Sequence, residues 1–159
     1  MKKKFLSVFI IVFYVVAVVS CSTDDSSSND NSNNVTANQT ETIAQEGTWK
    51  ITYFFDTDQA ETGNYSGYTF SFNNDGSLEA VNGDSTITGS WSVSDSNSSD
   101  DDASSSDTDF NIFFPVADND NLEELNDDWH VISVSDSKIE LIDVSGGNGG
   151  TDYLTFEKL

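Results

Sequence analysis

The chain reads as an all-β protein, an antiparallel meander of eight strands closed into a barrel. Three observations predict it. From Gly47 onward, apolar and polar residues alternate with a period of two through Trp49–Phe55, Tyr68–Phe72, Ile87–Val93 and Phe110–Phe114, the pattern of strands with one buried face. Tight-turn clusters separate the runs at hairpin spacing: Asn74-Asp75-Gly76, Gly83-Asp84 and Asp136-Ser137. The length, 159 residues, allows one domain, and closing the meander removes its open edges. A β-sandwich is the alternative arrangement.

The first element is not part of that domain. Lys2, Lys3 and Lys4 precede an almost unbroken apolar run, Phe5–Val19, which ends at Ser20-Cys21. A positive start, an apolar centre and a small-residue end make residues 1–20 a secretory signal peptide. The alternative, a single-span anchor, needs about 20 apolar residues, and no basic stop signal follows.

Val18-Val19-Ser20-Cys21 resembles the bacterial lipobox: an aliphatic residue, a small residue, then the Cys. The resemblance implies cleavage before Cys21, a diacylglyceryl group on its thiol and an acyl chain, palmitate or similar, on its new amine. Together these chains give a stable membrane anchor where one would not. Ser22-Thr23-Asp24-Asp25 resembles the export signal of surface lipoproteins in Bacteroidetes, chiefly flavobacteria, which implies transfer to the outer face of the outer membrane.

Residues 21–46 hold Ser, Asp, Asn, Thr and Gln, with no aromatic. Such a segment buries too little to offset its ordering entropy and is expected to be a flexible lipidated tether. Residues 47–159 form the β domain.

In the first strand Trp49, Ile51, Tyr53 and Phe55 are expected on one face, with Lys50 and Thr52 opposite. Tyr68, Phe70 and Phe72 repeat the pattern, and Leu78 and Ala80 follow across the Asn-Asp-Gly turn. Ile87, Gly89, Trp91 and Val93 share the next inward face. Ser94–Asp109, of which 13 residues in 16 are Ser or Asp, is expected to be a loop. Phe110, Ile112 and Phe114 resume a strand that Pro115 ends. Asp120 or Asn121 can cap a short helix carrying Leu122 and Leu125. Trp129–Ser135 is a strand whose inward residues read equally as Trp129 and Val131 or as Ile132 and Val134. Lys138–Val144 follows, then a Gly-rich hairpin tip, and a last strand with Leu154 and Phe156 inward.

Gly47-Thr48-Trp49 at the first strand, Gly89-Ser90-Trp91 midway and the ending Leu154-Thr155-Phe156-Glu157-Lys158 resemble, in that order, the lipocalin-like lipoproteins of Bacteroidetes. The resemblance implies a lipocalin-like barrel over about residues 47–159. In animal-type lipocalins a basic residue packs over the first-strand Trp; this chain has no Arg for that place.

Composition narrows the function. Once the leader is removed, 3 Lys face 28 acidic residues, a formal charge of −25. Nucleic acid is therefore no partner, since phosphate binding needs clustered cations. One Cys excludes an internal disulfide and a thiolate zinc site. His130, the only imidazole, lacks a Cys partner and a Gly-x-Ser-x-Gly elbow, and reads as a packed or rim residue. The acidic loop, with Asp100, Asp101, Asp102, Asp107 and Asp109, and the stretch Asp118-Asn119-Asp120 could collect calcium but read as solvated acidic segments. No carboxylate pair stands out for hydrolysis. No enzymatic activity, catalytic residue, metal or cofactor is expected.

The aromatic residues are the candidate ligand contacts. Trp49, Tyr53, Tyr68 and Trp91 could line an interior cavity for a small apolar or glycan ligand, or could simply fill the barrel, since eight strands suit either. Asp84-Ser85-Thr86 resembles the Bacteroidetes O-glycosylation motif, which marks Ser85 as a candidate acceptor. The reading is an outer-membrane, surface-exposed lipoprotein with a non-enzymatic binding or envelope-accessory role. A filled interaction module without a small ligand is the alternative, and a carboxylate-based hydrolase ranks last.

Overall fold

The structure is a computed structural model that describes residues 36–95, 108–144 and 150–159. It contains nine strands in one antiparallel sheet: β1 (Trp49–Asp56), β2 (Gln59–Ala60), β3 (Tyr68–Phe72), β4 (Ser77–Asn82), β5 (Ser85–Asp95), β6 (Thr108–Phe113), β7 (Asp127–Ser135), β8 (Lys138–Val144) and β9 (Thr151–Lys158). From β3 onward each strand pairs with the next in the chain, and β9 returns to pair with β1 from Trp49↔Lys158 to Phe55↔Tyr153. Eight strands thus close into a barrel, and β2 is a short hairpin extension of β1. The barrel, not the sandwich, is the observed arrangement.

The closure is least regular between β1 and β3, where only Trp49 and Phe70 are in register. Beside upper β1 the chain detours through a 3-10 turn, Thr62–Tyr65. The detour replaces the missing ladder. Thr62 Oγ1 accepts from the Phe54 amide at 2.9 Å, and the Glu61 amide donates to the Phe54 carbonyl at 3.0 Å. On the side away from β9, the backbone groups of Phe54 are therefore satisfied without a β3 neighbour.

Two bulges correct the expected faces. The β1–β9 register shifts between Ile51 and Tyr53, so Phe54 is buried and Tyr53 stands outside, 43% exposed. An extra residue in a strand with period two sends everything beyond it to the other face. The β7–β8 register shifts between Val131 and Ser133. Trp129 and Val131 point inward before the bulge, Ile132 points out, and Val134 turns back against the core. Trp129 and Val131 are thus both inward as one reading of the strand has them, while of Ile132 and Val134 only Val134 turns in.

The segment expected to be tether up to Glu46 ends in a helix, α1 (Ala37–Gln45). Thr36 and Gln39 form a capping box at its start. Its small residues Ala37, Thr40 and Ala44, spaced three and four apart, are buried, which lets the helix lie close against the barrel. Asp95 Oδ1 at the end of β5 accepts from the Ala37 amide at 3.0 Å, and Trp49 Nε1 donates to the Ala44 carbonyl at 2.8 Å. The helix therefore covers the end of the barrel where β1 begins.

The opposite end is covered by the segment between β6 and β7. Leu122 and Leu125, around a 3-10 turn at Glu123–Leu125, are fully buried. The N-cap of that turn is Leu122, with no side-chain cap, so neither Asp120 nor Asn121 takes the expected place; Asp120 Oδ1 instead accepts from the Leu122 amide just ahead of the turn. Asn126 grips Phe114 through both backbone groups: its Oδ1 accepts from the amide at 2.5 Å and its Nδ2 donates to the carbonyl at 3.0 Å.

Candidate binding surface

The interior is packed with aromatic rings. Phe72 meets Trp91, Phe110 and Phe156 edge to face, with ring centroids 5.1, 5.3 and 5.4 Å apart, the arrangement that aromatic quadrupoles favour. Phe70 joins Phe156 at 5.4 Å and Phe114 at 6.5 Å. Trp49, Phe70, Phe110 and Phe156 retain 0% of their surface, so no water-sized space lies against them. Strands β5 and β6 also approach too closely for a side chain at Gly89: a Cβ there would lie 2.2 Å from the Phe113 carbonyl oxygen.

The four candidate ligand contacts fall into different roles. Trp49 is sealed at the α1 end, and Lys158 Nζ sits 5.2 Å from its ring centroid. The cation over the first-strand Trp is therefore a lysine. Trp91 is 6% exposed and donates from Nε1 to the Asn73 carbonyl at 3.0 Å. Tyr68 is half-buried and packs on the core, its ring 6.1 Å from Phe70. Tyr53 cannot line the interior, because the β1 bulge turns it out. These four residues do not converge on a single cavity.

Exposed Tyr53 belongs instead to an external group. Tyr53 and Phe55 lie nearly parallel, 8° apart in plane and 6.4 Å between centroids, and Tyr153 sits 6.4 Å from Phe55 on β9. Register extends this row across the outer wall: Phe55↔Tyr153, Tyr153↔Ile142, Ile142↔His130 and His130↔Asp109. Sequence reasoning assigned Tyr53 and Phe55 inward and gave Tyr153 no role; the paired outward positions emerge only once the bulge is known.

His130 lies toward the far end of this row, exposed on the outer wall between β6 and β8, with Nδ1 2.8 Å from Asp109 Oδ1. Asp109 is in β6 and not in the loop, since Ser94 and Asp95 pair with Asp109 and Thr108. Lys138 Nζ lies 2.7 Å from Glu140 Oε1, and this contact, with the Ser133 hydroxyl, holds the Glu140 carboxyl below its usual range.

Acidic groups gather at the end of the barrel away from α1. Burial raises the Tyr65 hydroxyl pKa, helped by Glu124 and Glu61; that hydroxyl donates to the Asn121 carbonyl at 2.8 Å. Glu124 is likewise raised, first by burial and then by Glu61 and Asp56. Asp127 is pushed up to about 6, chiefly by desolvation. It borders a shallow hollow of about 340 Å³ together with Ser90, Asn111, Phe113 and Asn126. Among the described residues, no three His, Cys, Asp or Glu side chains are arranged to hold a metal ion.

Ser85 begins β5 and is exposed beside the Gly83-Asp84 turn. Cys21, Ser22, Thr23, Asp24 and Asp25 lie outside the described residues, as does the acidic segment 96–107. Among the described residues, no helix is long and apolar enough to cross a membrane.

No protein-family model matches the chain, and no curated protein matches it. Among solved structures it is similar to a DUF4847 family protein from Bacteroides vulgatus ATCC 8482, crystallised at 1.00 Å resolution. The two are 19% identical, the match covers 76% of this chain and 97% of the other, and the TM-score is 0.49.

Proposed function

We propose that this chain is a lipid-anchored protein of the bacterial outer membrane, displayed at the cell surface. Its barrel is a solid, non-enzymatic module that recognises partners through its outer wall. The observation that carries the recognition half is the packing of Phe70, Phe72, Trp91, Phe110 and Phe156, which leaves the interior to side chains. The anchoring half is supported by the leader, the Val18–Cys21 motif and the acidic residues Asp24 and Asp25 after it. The lipocalin-like label then describes the strand plan and implies no interior ligand, since a fold does not determine what is bound.

Metabolic labelling with palmitate tests the anchor. Wild-type chain should take up label and partition into detergent, and Cys21→Ala should do neither. A labelled, detergent-partitioning Cys21→Ala variant would refute the reading. Protease added to intact cells should cleave the wild-type domain, whereas Asp24→Ala/Asp25→Ala should leave it lipidated but protected.

A further inference from the structure

We propose that Tyr53, Phe55 and Tyr153 form a stacking platform for a neutral glycan on the outer wall of the barrel. Burial does not account for these rings: Tyr53 is 43% and Tyr153 36% exposed, on a sheet whose inner face already holds the core. Among the described residues, other exposed apolar side chains, Phe113, Ile132 and Val144, have no aromatic partner beside them, and most of the wall is polar. Strand β5 presents Thr86, Thr88, Ser90 and Ser92, all exposed.

The ring geometry selects the ligand class. Tyr53 and Phe55 project from one strand two residues apart, with planes within 8° and centroids 6.4 Å apart, a length comparable to a sugar ring. Tyr153 continues the surface onto β9, 6.4 Å from Phe55 and inclined 57° to it, so the platform is twisted and not flat. Aromatic faces carry negative quadrupole charge, and the faces of hexopyranose rings present weakly positive C–H groups. An open row of rings, the last one turned, can follow the twist of such a chain, whereas an ammonium ion is best held by rings that surround it.

Charge points the same way. All three lysines outside the leader and the single histidine lie on β1, β7, β8 and β9. Lys138 meets Glu140, His130 meets Asp109, and Lys50 stands opposite Glu157 in register, while Lys158 is folded over the Trp49 ring and points away from this wall. The wall therefore offers no free cationic cluster to an acidic polymer, and the chain's formal charge of −22 repels one. At the rim, Asp152 Oδ1 accepts from the Thr57 amide at 2.7 Å, and the remaining lone pairs of that carboxylate can accept sugar hydroxyls.

The inference rests on recognition being external and is independent of the lipid anchor. The full chain in mild detergent is run by native affinity electrophoresis through laminarin, hydroxyethylcellulose, galactomannan or dextran, with polygalacturonate as the anionic comparison. At least one neutral polymer should retard it and polygalacturonate should not. Tyr53→Ala and Tyr153→Ala should each weaken that retardation at least tenfold with unchanged melting, while Phe113→Ala, on another part of the wall, should not. The proposal is overturned if none of the four neutral polymers retards the chain, if retardation survives both tyrosine substitutions, or if those substitutions instead dissolve a dimer seen by sedimentation. A failure here together with a barrel that takes up no apolar probe would leave the filled interior standing.

Discussion

Lys158 lies across Trp49, its Nζ 5.2 Å from the ring centroid, while the same indole donates from Nε1 to the Ala44 carbonyl at 2.8 Å. Three parts of the chain meet on one side chain: the start of β1, the end of β9 and helix α1. Truncating a fully buried aromatic costs about 3–5 kcal/mol, a large share of a small domain's roughly 5–15 kcal/mol. Trp49→Ala should therefore lower the urea midpoint sharply, and Lys158→Met, which removes the cation–π contact, should cost only about 0.5–2 kcal/mol. Equal losses from the two would contradict this ranking.

Gly89 is required by proximity. A methyl group there would meet the Phe113 carbonyl oxygen at 2.2 Å and the Phe114 ring at 2.8 Å, so β5 and β6 would have to separate. Overpacking of this kind typically costs about 1–3 kcal/mol. Gly89→Ala should be destabilising by that amount in chemical denaturation, although alanine is the better strand residue.

Thr40 carries the opposite expectation. Its hydroxyl is buried on the barrel-facing side of α1 with no hydrogen-bond partner among the described residues. Leaving such a group unpaired costs about 1–3 kcal/mol. Thr40→Val keeps the branched shape and removes the polar atom, so the melting temperature should rise. A fall would show that the hydroxyl has a partner such as bound water.

Asp127 makes stability depend on pH. Its folded carboxyl is raised from 3.8 to about 6, so between those values the folded state holds more protons than the unfolded one. Stability from this group is fully present below about pH 4 and is lost as pH rises through about 6. Glu124, also raised, acts in the same direction. Asp75 and Glu140, both lowered by hydrogen bonds, act oppositely at lower pH. The clean comparison is therefore between wild type and Asp127→Asn. The variant should gain on wild type as pH goes from 4 to 7, read by urea midpoints at each pH.

Much of the barrel was legible because alternation writes directly onto the two faces of a strand. Phe70, Phe72, Leu78, Ala80, Phe110, Ile112, Leu154 and Phe156 all stand inward as their spacing requires. The bulges at Thr52 and Ile132 were not legible, since an inserted residue changes face without changing composition. Those bulges moved Tyr53 outside and hid the external platform. Helix α1 had a readable signal in Thr36-Ala37-Asn38-Gln39, a capping box, masked by the polar composition around it. Asn126 could not be read at all. Its grip on Phe114 depends on a return of the chain twelve residues later.

The barrel is filled by its own side chains, and tryptophan fluorescence tests this most directly. Trp91 touches Phe72 and Phe110 in the interior, so any ligand entering the barrel must displace its neighbours. Titration of the full chain with cis-parinaric acid and with oleate should leave the tryptophan emission unchanged, with no saturable energy transfer. Saturable quenching that disappears in Trp91→Phe, in a variant that still melts cooperatively, would contradict the account and return the binding site to the interior.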